Sequence, residues 1–274
     1  MKTALVSIPT PTTPLDGAWY QPEGAARGAA LLFHGNTMNF YLGAPRFLPP
    51  VLAGLGLACL AFNRRGRDIL GIRDSRAAEG AAFQTIEEAL EDNRIAARWL
   101  EKKGFADPVI IGHSNGGMLA VQHAVDHPRT PALVLLSAHC GGKNMVPLAS
   151  AAGLLAGDQL DSITSRAKAL VDAGKGRELM LLPGWWYVTS AASFLDLASC
   201  PDVLALAPKI ACPVLYLRGD REPRNLYPAE AFGERCAGPC VIEIVPDCDH
   251  FCVRREDEIA RRVSSWLGPV LKDR

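Results

Sequence analysis

The stretch Pro108-Val-Ile-Ile-Gly112-His113-Ser114-Asn115-Gly116-Gly117-Met118-Leu119-Ala120 decides how this chain is read. Apolar β-formers at 109–111 come first, and a helical run follows from Gly116. Between them lies Gly-x-Ser-x-Gly. A strand that turns at once into a helix makes a sharp corner, where a side chain at Gly112 or Gly116 would collide with neighbouring backbone. The corner thrusts the Ser114 hydroxyl out above the sheet. It also places the Asn115 N–H where it can hold an anionic oxygen, at the favourable dipole end of the new helix. A tight turn with a helix-capping serine would use the same residue types, so the decision rests on the rest of the chain.

Working outward, short β-rich runs alternate with longer helical patterns, the signature of a parallel sheet covered by helices. The predicted strands are 4–8, 18–21, 29–34, 58–63, 109–111, 132–137, 214–218 and 241–245. Several are unbroken apolar runs (AALLF, VII, LVLL, VLYL), as expected of strands buried on both faces. The first two precede any helix and share a Pro/Thr/Asp/Gly-rich turn, which predicts an antiparallel edge hairpin. The clearest helix is 84–103, ending at Gly104; others are expected at 46–55, 116–126, 227–236 and 255–267. The fold class expected is α/β: a mostly parallel eight-stranded sheet with helices on both faces. From Cys140 to Pro208 no clean strand is visible, and the stretch is too long for a simple connection. It reads as a mostly helical lid. The organisation expected is a core of residues 1–140 and 208–274 with residues 141–207 inserted.

Composition excludes several function classes. The 274 residues carry 29 Lys+Arg and 29 Asp+Glu, a net charge of zero with no basic run, so neither nucleic acid nor an anionic membrane is an expected partner. No apolar stretch approaches the roughly 18 residues of a membrane span. The start, MKTALVSIPTPTTP, has its apolar run broken by Pro9, so no secretory signal is read and the cytoplasm is the expected compartment. Eight cysteines in a chain of this size, with no export signal, are expected to be reduced thiols. The pairs Cys236/Cys240 and Cys248/Cys252 share a C-x3-C spacing. The usual structural zinc knuckle is C-x2-C, and the second pair brackets His250, so no metal site is assigned. No cofactor is expected.

Four motifs in order, His34-Gly35-Asn36, Gly112-His113-Ser114-Asn115-Gly116, Gly219-Asp220 and Asp249-His250, resemble those of the α/β-hydrolase fold superfamily, of the serine-hydrolase type. The resemblance covers nearly the whole chain except the inserted segment. It implies an oxyanion loop, a nucleophilic serine, an acid and a histidine in that sequence order. Haloalkane dehalogenases and epoxide hydrolases that look similar use a carboxylate where this chain has Ser114. No H-E-x-x-H cluster suggests a zinc hydrolase.

A serine hydroxyl needs a base, and the base needs a partner that fixes its tautomer. His250 follows the apolar strand VIEIV and a polar turn, a place from which a base can reach a serine above the sheet. His113, inside the corner, is read as packed or held aside, and His123 and His127 as surface residues of the next helix. Asp220 closes the buried strand VLYLRG and is the expected acid, with Glu222 its rival two residues on. Asp247 and Asp249 are read as turn residues. The resemblance implies that Asn36 gives the second oxyanion N–H, beside that of Asn115, and that His34 ties the loop.

Substrate contacts are less determined. Met38, Phe40 and Tyr41 either wall a pocket or pack the next helix. Trp185 and Trp186 either cover an apolar substrate or form the lid's own core. His139 ends a strand near the lid and is a candidate pocket residue. Arg64, Arg65 and Arg67 either meet a substrate carboxylate or form internal ion pairs. The expected activity is cleavage of an ester, thioester or related acyl bond of a small-molecule substrate. An acyltransferase or cyclase using the same groups, and a binding protein without turnover, are the alternatives.

Overall fold

The computed structural model describes residues 1–73, 76–184 and 188–272. The strands β1 (Lys2–Ile8) and β2 (Leu15–Gln21) form the expected antiparallel hairpin. Then follow β3 (Gly28–Phe33), α1 (Ala44–Gly54), β4 (Leu57–Phe62), α2 (Ile86–Lys102), β5 (Val109–His113), α3 (Asn115–Asp126) and β6 (Leu133–Leu136). After a long excursion come β9 (Val214–Gly219), α8 (Ala229–Gly233), β10 (Cys240–Val245) and α9 (Glu256–Lys272). The eight strands of the main sheet lie in the order β1-β2-β4-β3-β5-β6-β9-β10. β2 joins β4 antiparallel, and from β4 to β10 every pairing is parallel.

Adjacent residues of the central strands serve opposite faces, as the two-residue period of a strand requires. Leu31 and Ile110 pack with Ile95, Leu100 and Leu119 on the face of α2 and α3. Their neighbours Leu32 and Ile111 pack with Leu48, Leu52, Val263 and Leu267 on the face of α1 and α9. Both faces of the parallel strands are therefore apolar, which is why these runs carry no polar alternation.

Several helix boundaries differ from expectation, α1 starting at Ala44 and α9 running on to Lys272, and two of the differences have a local reason. α2 starts at Ile86 because Thr85 caps it, accepting the Glu88 N–H while the Glu88 carboxylate accepts that of Thr85. α8 starts two residues later than expected because Pro228 sits directly before it.

The excursion holds α4 (Met145–Ala151), α5 (Leu160–Asp172), β7 (Leu179–Leu181), β8 (Val188–Ser190), α6 (Ala191–Asp196) and α7 (Val203–Leu206). β7 and β8 pair as an antiparallel ribbon, so the expectation of a strand-free segment is corrected. These strands are three residues each, too short to show as apolar runs. The excursion is not a separate body. Met145, Leu155, Ile163, Met180 and Phe194 belong to the same apolar cluster as Phe33 and Met118. Asp196 also accepts the Ile86 N–H at 2.6 Å, at the head of α2. Contrary to expectation, the run Ala191–Lys209 reaches span-like length and mean hydropathy, 1.2. It breaks after residue 199 and resumes at Val203, so it is not one continuous helix.

Four of the six histidines, His34, His113, His123 and His139, are buried. His123, expected on the surface, stacks on His127 and meets the edge of Phe33. Burial pushes all four below the ordinary imidazole range, His113 and His139 to about 4 and His123 to about 3. A histidine lowered on folding stabilises fully above its unfolded value of 6.5, and that stability is lost as pH falls toward the folded value. Asp92 works oppositely, raised to about 6 by burial, but it is one group against four. Each of His113 and His139 contributes about 2 kcal/mol of the loss at pH 5. Urea denaturation is therefore expected to show a clearly lower midpoint at pH 5 than at pH 7; equal midpoints would contradict the neutral burial of these rings.

Candidate active site

β5 runs into α3 through Ser114, whose backbone is left-handed (φ 58°, ψ −121°). The corner is tied to the sheet by the Ser114 N–H, which donates to the Leu136 carbonyl at 2.8 Å. A Cβ on Gly112 would lie 2.3 Å from the Gly116 oxygen, and one on Gly116 would lie 2.2 Å from the Phe33 oxygen. The two flanking glycines are thus required by close packing.

The corner aims Ser114 at His250, with Ser114 Oγ and His250 Nε2 2.9 Å apart. His250 Nδ1 donates to Glu222 Oε1 at 2.6 Å. That bond puts the hydrogen on Nδ1 and leaves the Nε2 lone pair for the hydroxyl proton. Glu222 is buried, and its other oxygen accepts from Ser137 Oγ at 2.5 Å and from the Gly219 N–H at 2.7 Å. The expectation for Asp220 is corrected here. Its N–H extends the pairing with β10 by donating to the Val245 carbonyl, and its exposed carboxylate faces the Cys248 N–H at 3.4 Å. The chain turns after β9 with the Glu222 N–H on the Gly219 carbonyl, and the longer glutamate side chain reaches the ring that Asp220 does not. Glu222 stood as the rival; the strand ending after VLYLRG could not separate the two.

His113 has a use that the sequence did not suggest. Its Nε2–H donates to the His250 backbone carbonyl at 2.8 Å, fixing the loop that carries His250. Burial and the neighbouring His250 keep it neutral. Tyr227 packs its ring 4.8 Å from that of His250 on another side.

The turn after β3 approaches Ser114 closely, since a Cβ on Gly35 would lie 3.1 Å from Ser114 Cβ. His34 ties this turn as expected: Nδ1–H donates to the Gly35 carbonyl at 2.8 Å, and Nε2 accepts the Arg64 N–H at 3.1 Å. The buried Arg64 guanidinium donates to the His34 carbonyl at 2.6 Å and reaches Asn115 Oδ1 at 3.5 Å. Among the described residues, the backbone N–H groups of Asn36 and Asn115 donate to no protein acceptor. Arg65 pairs with Asp92 at 2.7 Å, and Arg67 lies 3.6 Å from Glu79, so this loop forms internal ion pairs.

Two small cavities meet at Asn36. One, of about 30 Å³, is lined by Ser114, His139, Met145, Leu155 and Tyr227 among others. The other, of about 40 Å³, lies against Asn115, Gln84, Ile86, Thr189 and Ser193. His139 is therefore a cavity residue. Met38, Phe40 and Tyr41 line neither cavity, correcting the reading that they wall a pocket. Met38 is buried beside Gly35, Phe40 packs toward α1 and α9, and Tyr41 is exposed. Asn39 turns this loop away by accepting the Tyr41 N–H and donating to Asp68. Trp185 and Trp186 lie outside the described residues.

Residues 30–262 match the profile of the alpha/beta hydrolase family. The chain belongs to this family. No curated protein matches the chain. Among solved structures, this hydrolase-fold chain is similar to Est1E from Butyrivibrio proteoclasticus with bound ferulic acid (TM-score 0.75, 18% identity, covering 97% of this chain and 99% of that one). It is also similar to a thermostable carboxyl esterase from Bacillus coagulans in complex with glycerol (TM-score 0.72, 15% identity, 98% and 99%). A third is dienelactone hydrolase from Anabaena variabilis (TM-score 0.60, 18% identity, 97% and 96%). At these identities the likeness is one of fold. Cys59, Cys140, Cys200, Cys236, Cys240, Cys248 and Cys252 are free thiols. Among the described residues no group of three His, Cys, Asp or Glu is placed to share a metal ion.

The geometry separates the two candidate acids. Glu222→Gln is expected to slow the reaction of Ser114 with a fluorophosphonate by about three to four orders of magnitude. Asp220→Asn is expected to stay within about threefold, as for a surface group outside the relay. The rate of covalent labelling, read by intact-mass spectrometry, checks both; the reverse ranking would return the role to Asp220.

Proposed function

We propose that this chain is a serine hydrolase that cleaves an ester, thioester or related acyl bond of a small to medium-sized substrate. The observation that carries the reading is the continuous relay Glu222–His250–Ser114, at 2.6 Å and 2.9 Å, beneath a partly enclosed cavity. Ser114 Oγ attacks the substrate carbonyl carbon while His250 Nε2 takes its proton. Glu222 holds the imidazole in the attacking tautomer and stabilises the imidazolium; it does not itself take the proton. The Asn36 and Asn115 N–H groups receive the negative charge on the former carbonyl oxygen, assisted by the start of α3. His250 returns the proton to the leaving group, the carbonyl re-forms as an acyl-enzyme, and water activated by the same imidazole releases the acid. The excursion 141–207 is the lid of this site: Met145, Ala149, Leu154 and Leu155 wall one cavity, and Val188, Thr189, Ser193 and Leu197 the other.

The buried positive charge of Arg64 behind the oxyanion turn favours the same anion. Its guanidinium reaches both the His34 carbonyl and Asn115, so it also sets the spacing of the two donors. In a water-poor site such fixed charges and dipoles act more strongly than at a surface.

Wild type is expected to take one fluorophosphonate on Ser114 and to turn over p-nitrophenyl acetate. Ser114→Ala is expected to lose the label and at least about four orders of magnitude in kcat. A folded wild-type protein that neither labels nor turns over would favour a binding protein on this fold and sink the hydrolase reading.

A further inference from the structure

The cavity beside Ser114 is lined by a residue whose ring carries a polar atom with no hydrogen-bond partner among the described residues. His139 follows β6, and the residue is 5% exposed. Its Nδ1 accepts the Gly141 N–H at 3.1 Å, which in a neutral ring puts the hydrogen on Nε2. Among the described residues Nε2 has no hydrogen-bond partner. Burial and the neighbouring His250 keep the ring neutral, so that hydrogen is a directed donor without a charge. The rest of this wall is largely aliphatic: Met145, Ala149, Leu154, Leu155 and Leu226. With Nδ1 turned to the backbone, Nε2 is the ring's remaining polar atom, and it is buried. A buried donor with nothing to bind is costly, and native interiors rarely keep one without a use.

We propose that His139 is a specificity-determining residue whose Nε2–H binds an acceptor oxygen of the substrate: an ether, ketone or hydroxyl oxygen within a few bonds of the scissile carbonyl. The inference rests on the hydrolase reading and deepens it by naming a substrate class. An all-carbon chain in this cavity leaves the imidazole N–H unpaired, whereas a chain of the same shape with oxygen at the right place pairs it. A site built to hydrogen-bond a substrate atom discriminates against the analogue lacking it, because the protein's own group is then left unsatisfied. The aliphatic wall recognises the remainder of the segment by shape and burial.

Two isosteric ester pairs test this. p-Nitrophenyl methoxyacetate and butanoate differ by oxygen for methylene on the acyl side. 2-Methoxyethyl acetate and butyl acetate differ likewise on the alcohol side. Each kcat/KM is divided by the hydroxide hydrolysis rate of the same ester, which removes intrinsic reactivity. In at least one pair, wild type is expected to prefer the oxygen-containing ester by about tenfold after this correction. His139→Leu is expected to bring that ratio near one, and His139→Gln, which keeps an N–H donor, to retain much of it. A corrected wild-type ratio near one in both pairs overturns the inference and requires no variant. A preference that survives His139→Leu overturns it as well. Absence of fluorophosphonate labelling at Ser114 would remove the hydrolase reading and this inference together. Labelling without ester preference removes only the role of His139.

Discussion

The Gly116 Cα lies so near the end of β3 that a Cβ there would stand 2.2 Å from the Phe33 oxygen and 2.5 Å from that of His34. This contact brings three things into one place. It seats α3 directly on the parallel sheet, it forces the left-handed corner at Ser114, and it carries the turn after β3 beside the serine. A side chain at either flanking position would push the helix off the strand end and draw the two backbone N–H groups apart. Strain at a single residue is held because the packing around it over-determines the backbone.

On the far side of Ser114 the arrangement is held by polar ties instead of close packing. Glu222 is fixed by a serine hydroxyl from the end of β6 and by the Gly219 N–H at the end of β9. His250 is held at its ring by Glu222 and at its carbonyl by His113. His250 is thus anchored at two points, one of them within the corner that carries Ser114. Such double fixation of a loop residue reduces the reorganisation that a reaction at Ser114 would require. His113 serves this purpose because burial keeps it neutral, with Nε2–H available to donate.

The excursion lines both cavities and shares the apolar core of the sheet's helices. The Cys140 N–H donates to the Leu226 carbonyl and the Val203 N–H to that of Cys140, so the segment's two ends are stitched to each other and to the loop after β9. The Ser190 N–H donates to the Ala82 carbonyl, joining the ribbon to the chain before α2. Since its apolar residues belong to the core cluster of α2 and α3, lifting it away whole would expose that core. The geometry of the cavities therefore belongs to the folded whole.

Much was legible in the chain itself. Unbroken apolar runs at 29–33, 109–111 and 214–217 determine strands buried on both faces, since no other short element needs apolar residues at every position. Gly112-x-Ser114-x-Gly116 determines the corner, because its steric demands are local. The short strands β7 and β8 were not legible, being three residues each without alternation. Nor were the carboxylate partner of His250 and the cavity walls. Asp220 and Glu222 leave the same turn two residues apart, and only the position of the His250 ring, set by a loop 28 residues further on, selects Glu222. Met38 and Phe40 follow the turn after β3 and by sequence stand equally as pocket wall or helix packing, and the hydrogen bonds of Asn39 turn that loop away. Conformations governed by neighbouring residues can be read along the chain; which side chains meet across the fold is decided by three-dimensional packing, which sequence order does not contain.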